Sequence, residues 1–251
     1  MLSRVIGSNF RRSPPPVVLK MSAKIPLFYA TFQNTKVIKC KNPEGIRTMA
    51  KRTIILIGGA PTTGKSTMAA LVAKHLNLPW ISTDQIRETM RLVARREDHP
   101  KLFNPEGYDA QKFLTEFSAS QIADMELEQG EAVWPGVKKF IEDDYTWKEG
   151  FVMEGVNILP HLVAKDFTDN KEIKAVFLVD EDADRIKDVV YNRGLWDGAK
   201  EYSDDLKPKE IEWVLDFSHK LKAEAEKYGY PTIEVQKKED DLQIVLSAIE
   251  L

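Results

Sequence analysis

The run Thr53-Ile54-Ile55-Leu56-Ile57 is unbroken, apolar and rich in β-branched residues, and it stops at Gly58-Gly59. A strand that is apolar at consecutive rather than alternate positions is buried on both faces, as in a parallel sheet covered on each side by helices. It leads into Gly59-Ala60-Pro61-Thr62-Thr63-Gly64-Lys65-Ser66, beyond which Met68, Leu71, Val72, His75 and Leu76 recur at helical spacing. A loop of this kind between a strand and a helix is built to hold a polyphosphate. Its glycines let backbone amides turn inward, and the helix N-terminus aims a positive end at the same point. Lys65 supplies a mobile cation, Ser66 a hydroxyl for Mg²⁺, and Thr67 a further contact.

Pro79-Trp80-Ile81-Ser82 reads as a second short strand and closes a βαβ unit. Helical patterns follow at about 84–96 and 109–145, then strands at Phe151-Val152-Met153-Glu154 and Lys174 to Val179. A helix at about 181–193 precedes a polar segment from Gly194 to Lys207. An amphipathic helix at about 208–228, a strand Thr232 to Val235 and a closing helix from about 239 complete the pattern. Strands alternating with helices imply an α/β fold with a doubly wound parallel sheet of about five strands.

Residues 1–50 carry nine Lys or Arg and one acid, Glu44, whereas residues 51–251 carry 27 basic and 38 acidic residues. The acidic surplus of the folded part argues against a surface that coats nucleic acid and favours a small-molecule partner. The expected organisation is a basic leader at 1–48 followed by one domain at 49–251. In the leader, Leu2, Ile6 and Phe10 share a helical stripe while Arg4, Arg11 and Arg12 lie elsewhere, as in an organellar transit peptide. A non-targeting tail ahead of Met49 is the equal alternative, so the expected location is the cytoplasm, or the mitochondrial matrix if the leader is cleaved there. No window approaches the roughly 18 to 20 apolar residues of a membrane-spanning helix. The single Cys40 has no partner for an internal disulfide, which fits a reducing compartment. Oligomeric state is not legible.

Among loop-bearing nucleotide proteins, a switch GTPase needs Asn-Lys-x-Asp to read guanine, and Asn170-Lys171-Glu172-Ile173 lacks the carboxylate. The Leu-Ser-Gly-Gly-Gln signature of transporter ATPases is also missing. Three strings then stand in order: Ile57 to Thr67, Ile81-Ser82-Thr83-Asp84-Gln85-Ile86-Arg87, and Val152-Met153-Glu154-Gly155-Val156-Asn157. Together they resemble 2-phosphoglycerate kinase and the related zeta-toxin and chloramphenicol-phosphotransferase group of P-loop kinases. The resemblance implies a nucleotide-kinase-like P-loop fold with a short lid at about 194–207. It also implies transfer of phosphate from ATP, with Mg²⁺, to a hydroxyl of a small acceptor, here an anionic metabolite. A regulatory ATPase module and a zeta-toxin-like or polynucleotide-end kinase are the alternatives.

The candidate site follows from these strings. Gly59, Ala60, Pro61, Thr62, Thr63, Gly64, Lys65, Ser66 and Thr67 would bind the nucleotide. Asp84 follows the second strand, where ligands bind in such sheets, and Arg87 lies one helical turn on. In the group resembled, a carboxylate placed like Asp84 orients or deprotonates the acceptor hydroxyl, and Arg87 can grip an anion. The bland alternative makes Asp84 a helix cap and Arg87 a surface residue. Arg91, Arg95 and Arg96 read as the solvated face of the same helix. The metal carboxylate could be Glu154 or Asp180, each at the end of a strand flanking the first; Gly155 and the resemblance favour Glu154. Arg185 and Arg193 lead into the polar segment and look like lid arginines that neutralise the transferring group. The four histidines lack metal-ligand spacing.

Overall fold

The computed structural model describes residues 52–195, 197–235 and 238–249; the basic leader at 1–48 and Trp196 of the lid segment lie outside the described residues. Five strands form one parallel sheet: β1 Thr53–Gly59, β2 Trp80–Ser82, β3 Gly150–Gly155, β4 Ile173–Val179 and β5 Thr232–Glu234. They are ordered β2-β3-β1-β4-β5, so β1 is central, with β3 and β4 paired on either side of it.

Period-two alternation splits each apolar strand between two cores. Ile54 and Leu56 of β1, Phe151 and Met153 of β3, and Phe177 of β4 face the larger core. Ile55, Ile57, Val152, Val176 and Leu178 face the smaller one, closed by α1 Lys65–Leu76 and α8 Lys238–Ala248. Consecutive burial is therefore the product of two helical layers, and each such side chain contributes about 1.5–3 kcal/mol by leaving water.

The larger core is covered by α2 Thr83–Val93, α4 Ala119–Glu142, α6 Ala183–Asn192 and α7 Lys207–Tyr228. The helical pattern at 109–145 divides into α3 Ala110–Glu116 and α4. The break comes at Phe117 in extended backbone, after which Ser118 and Gln121 form a reciprocal capping box that starts α4. A short 3-10 turn at Pro100–Phe103 and α5 Pro160–Phe167, opened by Pro160 in its first turn, have no counterpart in the periodicity reading. The first of these explains a correction. Arg91 donates to the carbonyls of Leu102 and Asn104, each at 2.8 Å, so it is a half-buried anchor of that turn rather than solvated face. Helix α2 ends at Val93, leaving Arg95 and Arg96 beyond it.

Among the described residues no helix is long and apolar enough to cross a membrane.

Candidate active site

Gly64 stands immediately before α1 at φ +70, a left-handed backbone that glycine adopts freely. Thr62 also lies in that region, at φ 75, where a β-branched residue is strained by on the order of 1–3 kcal/mol. Its hydroxyl donates to Asp180 Oδ2 at 3.0 Å, which holds it there. Thr63 Oγ1 donates to the Ala60 carbonyl at 2.8 Å and closes the loop on itself. Helix α1 has no acidic residue in its own first turn, and Ser66 and Thr67 are exposed at that end, so its positive pole is open to a ligand. Lys65 reaches the Ala60 carbonyl at 3.4 Å. Burial pulls its ammonium below the usual lysine range, against the charges of Glu154, Asp84 and Glu126, while Arg193 adds to the depression.

The two strand-end carboxylates have different company. Glu154 is paired in register with Ser82 of β2 and Ile57 of β1 and is 2% exposed. Burial pushes its carboxyl up, while Lys65 and hydrogen bonds with the hydroxyls of Ser82 and Ser66 pull it back down. A buried carboxylate beside the Ser66 hydroxyl is a donor pair that fits a hard divalent cation, which takes few protein oxygens and the rest from phosphate and water. Asp180 is fully buried at the end of β4. It accepts from Thr62, forms an ion pair with Arg185 Nη2 at 2.6 Å, and accepts from the Asp182 amide at 3.2 Å. Its oxygens are taken up by protein. Among the described residues no three His, Cys, Asp or Glu side chains gather into a metal cluster.

The close approach that Gly155 permits is to protein. A Cβ there would fall 1.7 Å from Thr83 Oγ1, whose hydroxyl bonds the buried Asn157 at 3.1 Å.

Asp84 and Arg87, expected on the acceptor side, sit on α2. Ser82 accepts from the Asp84 amide and caps the helix, so the Asp84 carboxylate is not spent on capping. That carboxylate is largely exposed and pairs with Arg87 Nη1 at 3.0 Å; Arg87 also bonds Gln129 and Glu88. Arg185 lies on α6 and exposed Arg193 caps that helix, its Nε donating to the Gly194 carbonyl at 3.1 Å. The 194–207 segment is fastened to neighbouring helices: Asp197 accepts from the Ala110 amide at 2.7 Å, the Ser203 amide donates to Gln111, and Tyr202 bonds Glu210.

One cleft of about 730 Å³ gathers most of these groups. Lys65, Ser66 and Thr67 line it together with Asp84 and Arg87 of α2 and with Arg185 and Arg193. Gly59, Ala60, Thr63, Glu154 and Asp180 lie beneath it rather than in its wall. The cleft also takes in two polar residues of α4 absent from the sequence reading, Glu126 and Gln129. Both sit on the stripe Ile122, Glu126, Gln129, Val133, Val137, where burial is otherwise apolar. A carboxylate and an amide interrupting an apolar stripe are the signal that could have found them.

The parallel sheet and the phosphate loop after β1 define the class by fold: the chain has the α/β fold of the P-loop proteins. In sequence it is similar to 2-phosphoglycerate kinases. That of Methanothermobacter thermautotrophicus is 29% identical over 243 residues, covering 93% of this chain and 71% of the relative. That of Methanopyrus kandleri is 30% identical over 202 residues, covering 78% of this chain and 60% of the relative. That of Methanocaldococcus jannaschii is 32% identical over 142 residues, and this chain spans less than half of its length, 46%. No family model matches the chain. Solved structures similar to it include a gluconokinase from Sinorhizobium meliloti, 13% identical with a TM-score of 0.47 and covering 80% of this chain and 94% of that one. A shikimate kinase from Aquifex aeolicus is 17% identical with a TM-score of 0.44, covering 79% and 96%.

Proposed function

We propose that the chain transfers the γ-phosphoryl group of ATP to the hydroxyl of 2-phosphoglycerate or a closely similar small acid. The observation that carries this reading is the single cleft in which the phosphate loop faces Asp84 and Arg87. The names of the relatives support the choice of acceptor.

In this reading the amides of Gly59 to Ser66 and the N-terminus of α1 cradle the triphosphate, with Lys65 on its outer phosphates. Ser66 and Glu154 would hold Mg²⁺, which when bound neutralises charge on the phosphate oxygens. Arg87 holds the acid group of the acceptor and thereby sets the hydroxyl beside Asp84. As the oxygen–phosphorus bond forms and the bond to the leaving diphosphate breaks, Asp84 takes the hydroxyl proton and later releases it to water. Arg193 and Arg185, at the end of α6 and within it, would face the charge that develops on the transferring group, with the 194–207 segment that follows them as the lid.

The test is product formation from ATP, Mg²⁺ and 2-phosphoglycerate, with other small hydroxy acids in parallel and Lys65→Ala as the control. A doubly phosphorylated product that disappears in the control is expected. Turnover that survives Lys65→Ala would refute the mechanism, and product with other acids alone would refute the acceptor.

A further inference from the structure

Glu126 is a carboxyl in the wall of the acceptor cleft to which none of the roles above applies. It is 8% exposed, and it takes part in none of the side-chain hydrogen bonds or ion pairs of the described residues. Around it stand Asp84, Arg87 and Arg91 from α2 and Lys65 from the phosphate loop. Those cations are already engaged. Arg87 is shared among Asp84, Glu88 and Gln129, Arg91 is bound to Glu88 and two carbonyls, and Lys65 reaches the Ala60 carbonyl of the phosphate loop. An acidic acceptor held by Arg87 therefore meets an arginine already shared with protein groups and, beside it, two carboxyls, Asp84 and Glu126.

We propose that Glu126 binds the acceptor in its protonated form, its carboxyl O–H donating a hydrogen bond to the acceptor's anionic group, so that acceptor and proton arrive together. The inference rests on the reading above that the acceptor is a small acid. A neutral carboxyl offers one donor where a carboxylate offers only acceptors and repulsion. The neutral form is within reach near neutrality. Burial pushes the Glu126 carboxyl up to about 7, Asp84 adds to the rise, and Arg87, Lys65 and Arg91 oppose it. An anion placed beside it raises it further, so a proton is drawn from solvent on binding and returned when the product leaves. Asp84, exposed and paired, remains the group that meets the hydroxyl.

The experiment is initial-rate kinetics with 2-phosphoglycerate varied from pH 6 to 9 at saturating ATP and Mg²⁺, for the native protein and Glu126→Gln. The acceptor KM is expected to be level below about pH 7 and to rise by up to about tenfold per pH unit above it. The KM for ATP should not follow. Glu126→Gln keeps a neutral donor and should flatten the rise. The acceptor's own phosphate titrates near pH 6, but identically for both proteins, so the difference between their profiles is the readout. Coincident profiles with turnover intact overturn the role of Glu126 alone. No turnover of 2-phosphoglycerate at any pH overturns the acceptor reading and this inference with it. Should Glu126→Gln fail to fold, calorimetry of acceptor binding to the native protein at pH 8, in buffers of different ionisation enthalpy, counts the proton directly. Uptake supports the proposal and no uptake overturns it.

Discussion

Glu154 and Asp180 end the two strands that flank β1, and both are buried, yet their surroundings make them different objects. Glu154 borders the Ser66 and Ser82 hydroxyls and Lys65, groups that a nucleotide and its metal would engage. Asp180 is tied to Arg185, to Thr62 and to the amide that starts α6, so it holds the phosphate loop to the helix beyond β4. A third acid, Asp84, stands just past β2 and is 59% exposed at its side chain. Position at a strand end therefore does not assign a role; the partners do. A carboxylate whose neighbours are hydroxyls and a lysine is available for a ligand, and one enclosed by an arginine and two hydrogen-bond donors is part of the frame.

Three substitutions would break this contrast if it is wrong. Glu154→Gln should lower kcat by on the order of 10³-fold, with the loss growing at low Mg²⁺, because the metal that would meet the developing phosphoryl charge loses its carboxylate ligand. A magnesium titration of turnover checks it. Asp84→Asn should lower kcat by about 100-fold while the KM for ATP stays within a few-fold, as for a base serving the acceptor. Asp180→Asn should cut turnover by less than about tenfold but cost about 3 kcal/mol of stability, since Arg185 is left without its buried partner. Denaturant unfolding measures that cost, and a reversal of the ranking between Glu154 and Asp180 would exchange their roles.

What the sequence made visible was local. The run Thr53 to Ile57, the glycine-bounded loop and the helix after it lie within one stretch of chain, and each announces its neighbour by period and composition. Asp84 was legible for the same reason, because it directly follows a strand. The contrast between Glu154 and Asp180 was not, since it depends on Ser66 and Arg185 arriving from opposite sides of the sheet. Glu126 and Gln129 were hidden by long-range packing: only the placement of α4 against α2 turns an interruption of its apolar stripe into a cleft wall. The division of the 109–145 pattern was readable in principle from Ser118 and Gln121, whose spacing is that of a capping box, but continuous helical periodicity on both sides obscured it.

Glu210 offers the control for buried acids that serve no ligand. It is fully buried beneath the 194–207 segment, bonded by Tyr202, and absent from the cleft wall. Burial pushes its carboxyl up to about 7, and Asp197 adds to the rise, against Tyr202 and Lys207. An unfolded glutamate titrates near 4.3, so between about pH 4.5 and 7 the folded chain keeps a proton that the unfolded chain has released. Stability from this group must therefore fall as pH rises across that window and stay low above it. Glu210→Gln should flatten that part of the stability profile and raise stability at pH 8 by on the order of 1 kcal/mol, with kcat at saturating substrates changed by less than about twofold. Thermal unfolding from pH 5 to 8 checks the first expectation and turnover the second. A large loss of kcat would mean that the strut under the 194–207 segment takes part in the reaction, and that buried acids in this fold cannot be sorted by whether they touch the cleft.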